Sequence, residues 1–353
     1  MRKKIKLYGL ISLFLLLASC DQSCDYEYFG YLNSGRSVFV VGSTGMWTLS
    51  GVSAINIDDV NGFSLNWVGS KYKYFGGSFP LVPHGVPNLR EVITSNKPAL
   101  WAVSSADNAV YLVDSTGPNF IYGAKIPVGR APTSAVFSAD NNLLYVTNSG
   151  ADSISVIDTN STNVGLIALN PGSRPTAIAT TPDGTSLFVI NSGLSSVSQV
   201  DTASKKVVGT FSVGQGPLAL AVTPDGLLVY VCNSKDNTVT VHDVLSLEKV
   251  QTVTGITNPT SIAFSVDGIT AYVTSGISPA GLLYTIRAKS YRLGKTPITV
   301  GNNPVYVALD TYNTLIYVAN KGSNNLTIIN SNDNSIAGTI ALGGSPTGVI
   351  SLP

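Results

Sequence analysis

Short runs of β-branched, aliphatic and aromatic residues alternate with clusters of Gly, Pro, Asn, Asp and Ser along most of this chain. Between Arg174 and Ser212 the order is Pro175-Thr176-Ala177-Ile178-Ala179, Pro182-Asp183-Gly184, Leu187-Phe188-Val189-Ile190-Asn191, Val197-Ser198-Gln199-Val200-Asp201 and Val207-Val208-Gly209-Thr210-Phe211. This pattern predicts strand, turn, strand, loop, strand, turn, strand. A proline can open a strand because no ladder donor is required there. Pro-Asp-Gly presets a tight turn through the fixed φ of proline and the positive φ open to glycine. It returns as Pro224-Asp225-Gly226 and, degraded, as Val266-Asp267-Gly268 and Ala139-Asp140-Asn141.

The unit recurs. Strand-opening prolines stand at Pro87, Pro132, Pro175, Pro217, Pro259, Pro304 and Pro346, in steps of 45, 43, 42, 42, 45 and 42 residues. That period fits one small four-stranded sheet per repeat, arranged as the blades of a propeller. In the second strand an aromatic recurs as Trp101, Tyr145, Phe188, Tyr230, Tyr272 and Tyr317, where packing one blade on the next requires a large flat side chain. Asn148, Asn191, Asn233 and Asn320 follow it and are expected to close the loop by bonding backbone groups. Asp114, Asp158, Asp201 and Asp243 end the third strand and read as Asx-type caps rather than metal ligands.

Tyr145-Val146-Thr147-Asn148 spells the motif of the YVTN β-propeller repeat family, and Tyr230-Val231-Cys232-Asn233, Tyr272-Val273-Thr274-Ser275 and Tyr317-Val318-Ala319-Asn320 are close variants. The chain resembles that family strongly from Pro87 to Pro353 and weakly from Arg36 to Phe79. The resemblance implies fold more than chemistry, since such propellers serve as surface-layer proteins, periplasmic binding proteins and attachments to redox enzymes. Ser345 to Ser351 is a lone first strand at the chain end, whereas Ser37-Val38-Phe39-Val40-Val41 reads as a second strand with none before it. Trp47-Thr48-Leu49 and Phe63-Ser64-Leu65-Asn66-Trp67 supply its third and fourth. The expected fold is therefore all-β: a seven-bladed β-propeller of four-stranded antiparallel blades, closed by pairing of the N- and C-terminal strands.

Arg2, Lys3, Lys4 and Lys6 precede an apolar run from Leu7 to Ala18 that is too short to span a bilayer and ends in small residues, as in a secretory signal. Leu17-Ala18-Ser19-Cys20 resembles the bacterial lipobox, which implies acylation of Cys20 and cleavage before it. The expected organisation is a signal over 1–19, a lipidated N-terminus and spacer over 20–36, and the propeller over 37–353. Signal removal leaves 17 basic against 20 acidic residues, so the formal charge moves from +1 to −3 and gives no electrostatic reason to seek nucleic acid. Cys24 and Cys232 sit in unrelated contexts, and Cys232 reads as a small core residue.

Candidate chemistry is sparse. His84 and His242, the two histidines, belong to loop classes on opposite faces of the disc and should not share a metal. Haem-attachment, zinc-protease and nucleophile-elbow motifs are absent, and Gly294-Lys295-Thr296 lacks the first glycine of a phosphate loop. Loops between successive blades and between second and third strands share one face, where the repeats differ most. Arg130, Arg174, Gln215, Asn258 and Asn303 occupy the first loop class, and His84 enters the second blade. Arg130 and Arg174 stand on adjacent blades, one residue out of register, and could converge on an anion. The expectation is a monomeric, lipid-anchored envelope protein that binds a protein or envelope component, with no catalytic residue, cofactor or metal. The alternative is a lactonase-like hydrolase or lyase acting on a small molecule in the central channel.

Overall fold

The computed structural model describes residues 37–42, 45–50, 89–94, 99–114, 121–276, 280–310, 312–342 and 345–351. The expected strand Phe63 to Trp67, the Lys-Tyr-rich stretch 71–79, His84 and Cys20 lie outside them.

Strands form where the apolar runs predict, and a proline is the first strand residue at Pro132, Pro175, Pro217, Pro259, Pro304 and Pro346. The repeat at 175–212 is typical: Pro175–Thr180, Ser186–Asn191, Ser196–Asp201 and Lys206–Ser212 lie side by side, each antiparallel to the next. The same order holds for the repeats beginning at Leu89, Pro132, Pro217 and Pro304. A register shift follows Pro132, Pro175, Pro217 and Pro304, so the first strand kinks as it leaves the loop. In the repeat beginning at Pro259 the fourth position is broken into Arg292–Leu293 and Ile298–Val300, both paired with Gly281–Arg287. Gly294-Lys295-Thr296 lies at that break, where Pro297 can give no ladder donor. Ser37–Gly42 pairs on one side with Gly45–Ser50 and on the other with Pro346–Ser351 from the far end of the chain.

The core lies between sheets. Trp101 meets Phe137 of the following sheet edge-on at 6.2 Å, and Tyr230 meets Phe264 of its following sheet at 5.1 Å. Every described member of the aromatic series is buried, as blade-on-blade packing requires. Cys232 is a free, buried thiol in one such cluster.

Turns after the first strand are clipped by acid and hydroxyl. Asp183 Oδ1 accepts from Thr181 Oγ1 at 2.5 Å and Thr185 N at 3.0 Å, and Asp140, Asp225 and Asp267 repeat this with their own neighbours. The hydroxyl of Ser138 and the amide of Asn142 hold the Asp140 carboxyl down at about 2. Asn141, at φ 57°, supplies the positive φ that glycine gives elsewhere. Third-strand aspartates behave as predicted: Asp158 caps Asn160 N and Ser161 N, and Asp243 caps Leu245 N and Ser246 N.

Deleting residues 345–353 strips Ser37–Gly42 of one ladder partner. The expected result is a loss of several kcal/mol, on the order of 3 or more, read as a lower denaturant midpoint. An unchanged midpoint would show that this pairing contributes nothing.

Candidate functional site

At the end of each sheet where the prolines stand, the loop entering the first strand meets the loop between the second and third. Ser149 N donates to Ala131 O, Ser234 N to Gly216 O, Gly276 N to Asn258 O and Lys321 N to Asn303 O. The residue ahead of five of the prolines is left-handed: Ala131, Arg174, Gly216, Asn258 and Asn303 have φ of 51°, 47°, 65°, 45° and 48°. Side chains from second-to-third loops, mostly that of the preceding repeat, take N–H groups of the entering loop. Asn108 Oδ1 accepts from Ala131 N, Asp152 Oδ1 from Arg174 N, Asp236 Oδ2 from Gln215 N and Asn237 Oδ1 from Asn258 N, each at 2.7 Å. Asp152 also accepts from Gly172 N at 2.8 Å, and these two amides hold its carboxyl below the usual carboxylate range. The loop backbone is thus clamped from two sides, by Asn108, Asp152 and Asn237 of the repeat it leaves and by Asp236 of the repeat it enters.

All five described candidates stand on this frame. Arg130 is exposed, and its Nε and Nη2 donate to Gly150 O at 2.9 and 2.6 Å. Arg174 is exposed, and its carbonyl accepts from Ser192 Oγ at 2.7 Å. Gln215 is exposed, with Oε1 accepting from Ser195 Oγ at 3.4 Å. Asn258 is half-buried and donates through Nδ2 to Gly276 O at 3.1 Å, while Asn303 is exposed. Arg130 and Asn258 therefore engage the second-to-third loop of the repeat they enter, whereas the side chains of Arg174, Gln215 and Asn303 are exposed.

Beneath the loops lies a layer that the sequence reading assigned differently. Asn148, Asn191, Asn233 and Asn320 are buried, and their amides reach hydroxyls and amides of the third strand rather than mainly backbone. Asn148 Nδ2 donates to Ser153 Oγ and Ser155 Oγ, Asn191 Nδ2 to Ser196 Oγ and Ser198 Oγ, and Asn320 Nδ2 to Asn325 Oδ1 and Thr327 Oγ1. The correction follows from alternation: residues five and seven places on share one face of the next strand, so a polar pair there is the signal. Glycines of the loop lie against this layer, and a Cβ at Gly129 would sit 2.5 Å from Asn148 Cγ.

His242 is buried away from this face. Its ring lies 4.3 Å from that of Phe211 on the preceding sheet, its Nδ1 is 3.4 Å from Leu247 O, and its Nε2 has no partner among the described residues. Burial pushes its imidazole below the usual histidine range, and Lys249, opposite it on the next strand, adds to this.

The profile of YNCE-like beta-propellers matches residues 168–352. The chain belongs to that family. No curated protein matches it. Among solved structures, this YNCE-like propeller is similar to hydrazine synthase of Kuenenia stuttgartiensis, with TM-score 0.67, 17% identity, and coverage of 80% of this chain and 92% of that one. A functionally unknown protein of Desulfotomaculum acetoxidans gives 0.71, 15%, 90% and 99%. A candidate 6-phosphogluconolactonase of Bacteroides fragilis gives 0.69, 17%, 92% and 99%. At these identities the likeness is one of fold.

The buried neutral His242 makes stability depend on pH. In the unfolded chain its ring takes a proton near pH 6.5, about the free value, while the folded chain resists it to lower pH. Stability should therefore be full above about pH 6.5 and fall as pH drops from there toward the lower folded value. His242→Phe, which retains the stack on Phe211, should flatten this slope between pH 7 and about 5, read from denaturant midpoints. Equal slopes in the two proteins would assign the acid sensitivity elsewhere.

Proposed function

We propose that this chain is a lipid-anchored, seven-bladed propeller of the bacterial cell envelope, exposed to the periplasm or exterior, that binds a protein or envelope component through its loop-rich face. It acts as a monomer and does no chemistry on its ligand. The anchor reading is supported by Leu17-Ala18-Ser19-Cys20 after a basic, apolar leader. Closure of the ring is supported by Ser37–Gly42 lying between Gly45–Ser50 and Pro346–Ser351. One observation carries the binding reading: Asp152, Asp236 and Asn237 fix the loop backbone from within, so exposed side chains can differ between repeats without disturbing the frame. Arg174, Gln215 and Asn303 supply a cation and two amides at equivalent loops, and Arg130 adds a second cation. An anionic or carbonyl-rich ligand suits that set.

A second reading, a lactonase-like hydrolase or lyase acting on a small molecule in the central channel, draws on the names of the candidate 6-phosphogluconolactonases of Bacteroides fragilis and Bacteroides uniformis. Turnover of such a small molecule by the purified protein would displace the binding reading.

Cys20→Ala should abolish acylation and release exported protein from membranes. Labelled palmitate entering that variant would refute the anchor. For the face, crosslinking in the native envelope should capture a partner whose affinity falls by more than about 1.5 kcal/mol in Arg130→Ala, Arg174→Ala, the scale of a charge-assisted hydrogen bond. Undiminished affinity of the double variant would remove both arginines from the site.

A further inference from the structure

The opposite face, which carries the turns between first and second and between third and fourth strands, is not uniform. In the repeats beginning at Pro132 and Pro175, the residue whose N–H the turn aspartate holds is Asn142 or Thr185. In the next two it is Leu227 and Ile269. Likewise Asp158 caps Asn160, whereas Asp243 caps Leu245, which is 88% exposed. Val266 and Tyr312 on neighbouring turns are exposed too. These turns are contiguous. Val244 N donates to Leu227 O, Gly268 lies on Pro224, and Val266 N donates to Asn313 Oδ1 at 2.8 Å. Among the described repeats, the turn face of the two beginning at Pro217 and Pro259 is therefore apolar where the same backbone positions elsewhere are polar. Capping does not require those side chains, because the aspartates bond only their N–H groups.

Both chain ends of the propeller open on this face. A second strand starts at the turn side and a first strand finishes there, and Ser37–Gly42 and Pro346–Ser351 occupy those two positions, with Val38 opposite Ser351. Sixteen residues separate Cys20 from Ser37, a span of no more than about 60 Å even at full extension. We propose that Leu227, Leu245, Val266, Ile269 and Tyr312 dock on the zwitterionic interface of the bilayer that holds the lipid anchor. The proposal rests on the anchor reading, and it turns the loop face away from the membrane. Large apolar side chains at turn tips enter the headgroup boundary, as a second attachment beside the acyl chains. The aspartates on the same face, Asp183, Asp225, Asp243 and Asp267 among them, keep their charge beside the exposed Lys205, Lys249 and Lys289, with Lys289 acting on Asp225, so the turns carry both signs and suit a zwitterionic headgroup layer.

The test uses the full chain, processed in a lipoprotein-acylating host and reconstituted into phosphatidylcholine vesicles. It is compared with Leu227→Thr, Leu245→Asn, Ile269→Thr, which places at each turn the residue type of its polar counterpart. Amide exchange at 224–228, 243–247 and 266–270 should be at least about threefold slower in vesicles than in protein cut free of its anchor. Exchange at 139–142, 158–162 and 182–185 should not change, and the triple variant should lose the protection while still sedimenting with vesicles. Equal exchange in the two sets of turns of an acylated, vesicle-bound protein overturns the docking face and leaves the anchor standing. Absence of palmitate on Cys20 overturns the anchor, and protection by added vesicles would then still support the face. Protection that appears without lipid and grows with protein concentration assigns the surface to a second copy and refutes the proposal.

Discussion

Burial of each sheet's apolar faces against its neighbours is the constraint on which the rest of the structure depends, because no sheet has a layer of its own to cover it. Tyr145, Ile178 and Leu187 belong to one cluster that joins the repeats beginning at Pro132 and Pro175, and Phe188, Leu220 and Val229 join the next pair. Each buried aromatic or aliphatic side chain contributes about 1.5 to 3 kcal/mol. The polar links across the same boundary, Thr133 Oγ1 to Pro175 O and Thr260 Oγ1 to Pro304 O, contribute about 0.5 to 1.5 kcal/mol each. Apolar burial therefore holds neighbours together, and the threonine bonds set how the first strands sit against one another. A proline carbonyl is an apt acceptor, since its residue opens the strand and its nitrogen makes no ladder bond.

Stacking of this kind assigns the two ends of the sheets different work. At the turn end, the aspartate clips form within a few residues of sequence, so each turn is determined locally and its outward side chain is unconstrained by the clip. At the loop end, the bonds run some twenty residues, from Asp152 to Arg174 or Asn237 to Asn258, and tie the exit of one sheet to the middle of the same sheet. Variation is tolerated in both places, for different reasons. Function argued from either face has to come from the side chains that leave the frame, since the loops and turns of the frame recur from repeat to repeat.

The proline period and the aromatic series were legible because both answer to one requirement, a strand start without a donor and a flat side chain between sheets. The fourth strand was least legible. Lys249–Val253 and Val164–Ala168 are short and largely exposed, and the equivalent position after Gly281–Arg287 splits around Gly294 and Pro297, so weak burial leaves weak alternation. The loop-face residues were legible as a class by their place before each proline, yet their individual contacts were not. Nothing in Gly129-Arg130-Ala131 shows that the guanidinium folds onto Gly150 O, because that contact depends on the path of a loop twenty residues away. The asparagines were misread for a related reason: bonding within a turn is their commonest habit, and only their burial turns the amide toward the adjacent strand.

That buried amide layer explains how the loops can approach the sheets so closely. Among the described residues no donor reaches the Oδ1 atoms of Asn148, Asn191, Asn233 and Asn320, and such an atom costs about 1 to 3 kcal/mol wherever it is buried without one. An apolar residue would avoid the cost, but it would give up both Nδ2 bonds and leave the third-strand hydroxyls unpaired in its place. It would also need volume above the strand, where Gly129, Gly214 and Gly301 already lie within touching distance of the asparagine. A flat amide under a side-chain-free residue is the arrangement that brings the interblade loop down onto the sheet. The exposed residues of the loop face are then carried on a backbone pressed against the core, and their positions follow from the packing beneath them.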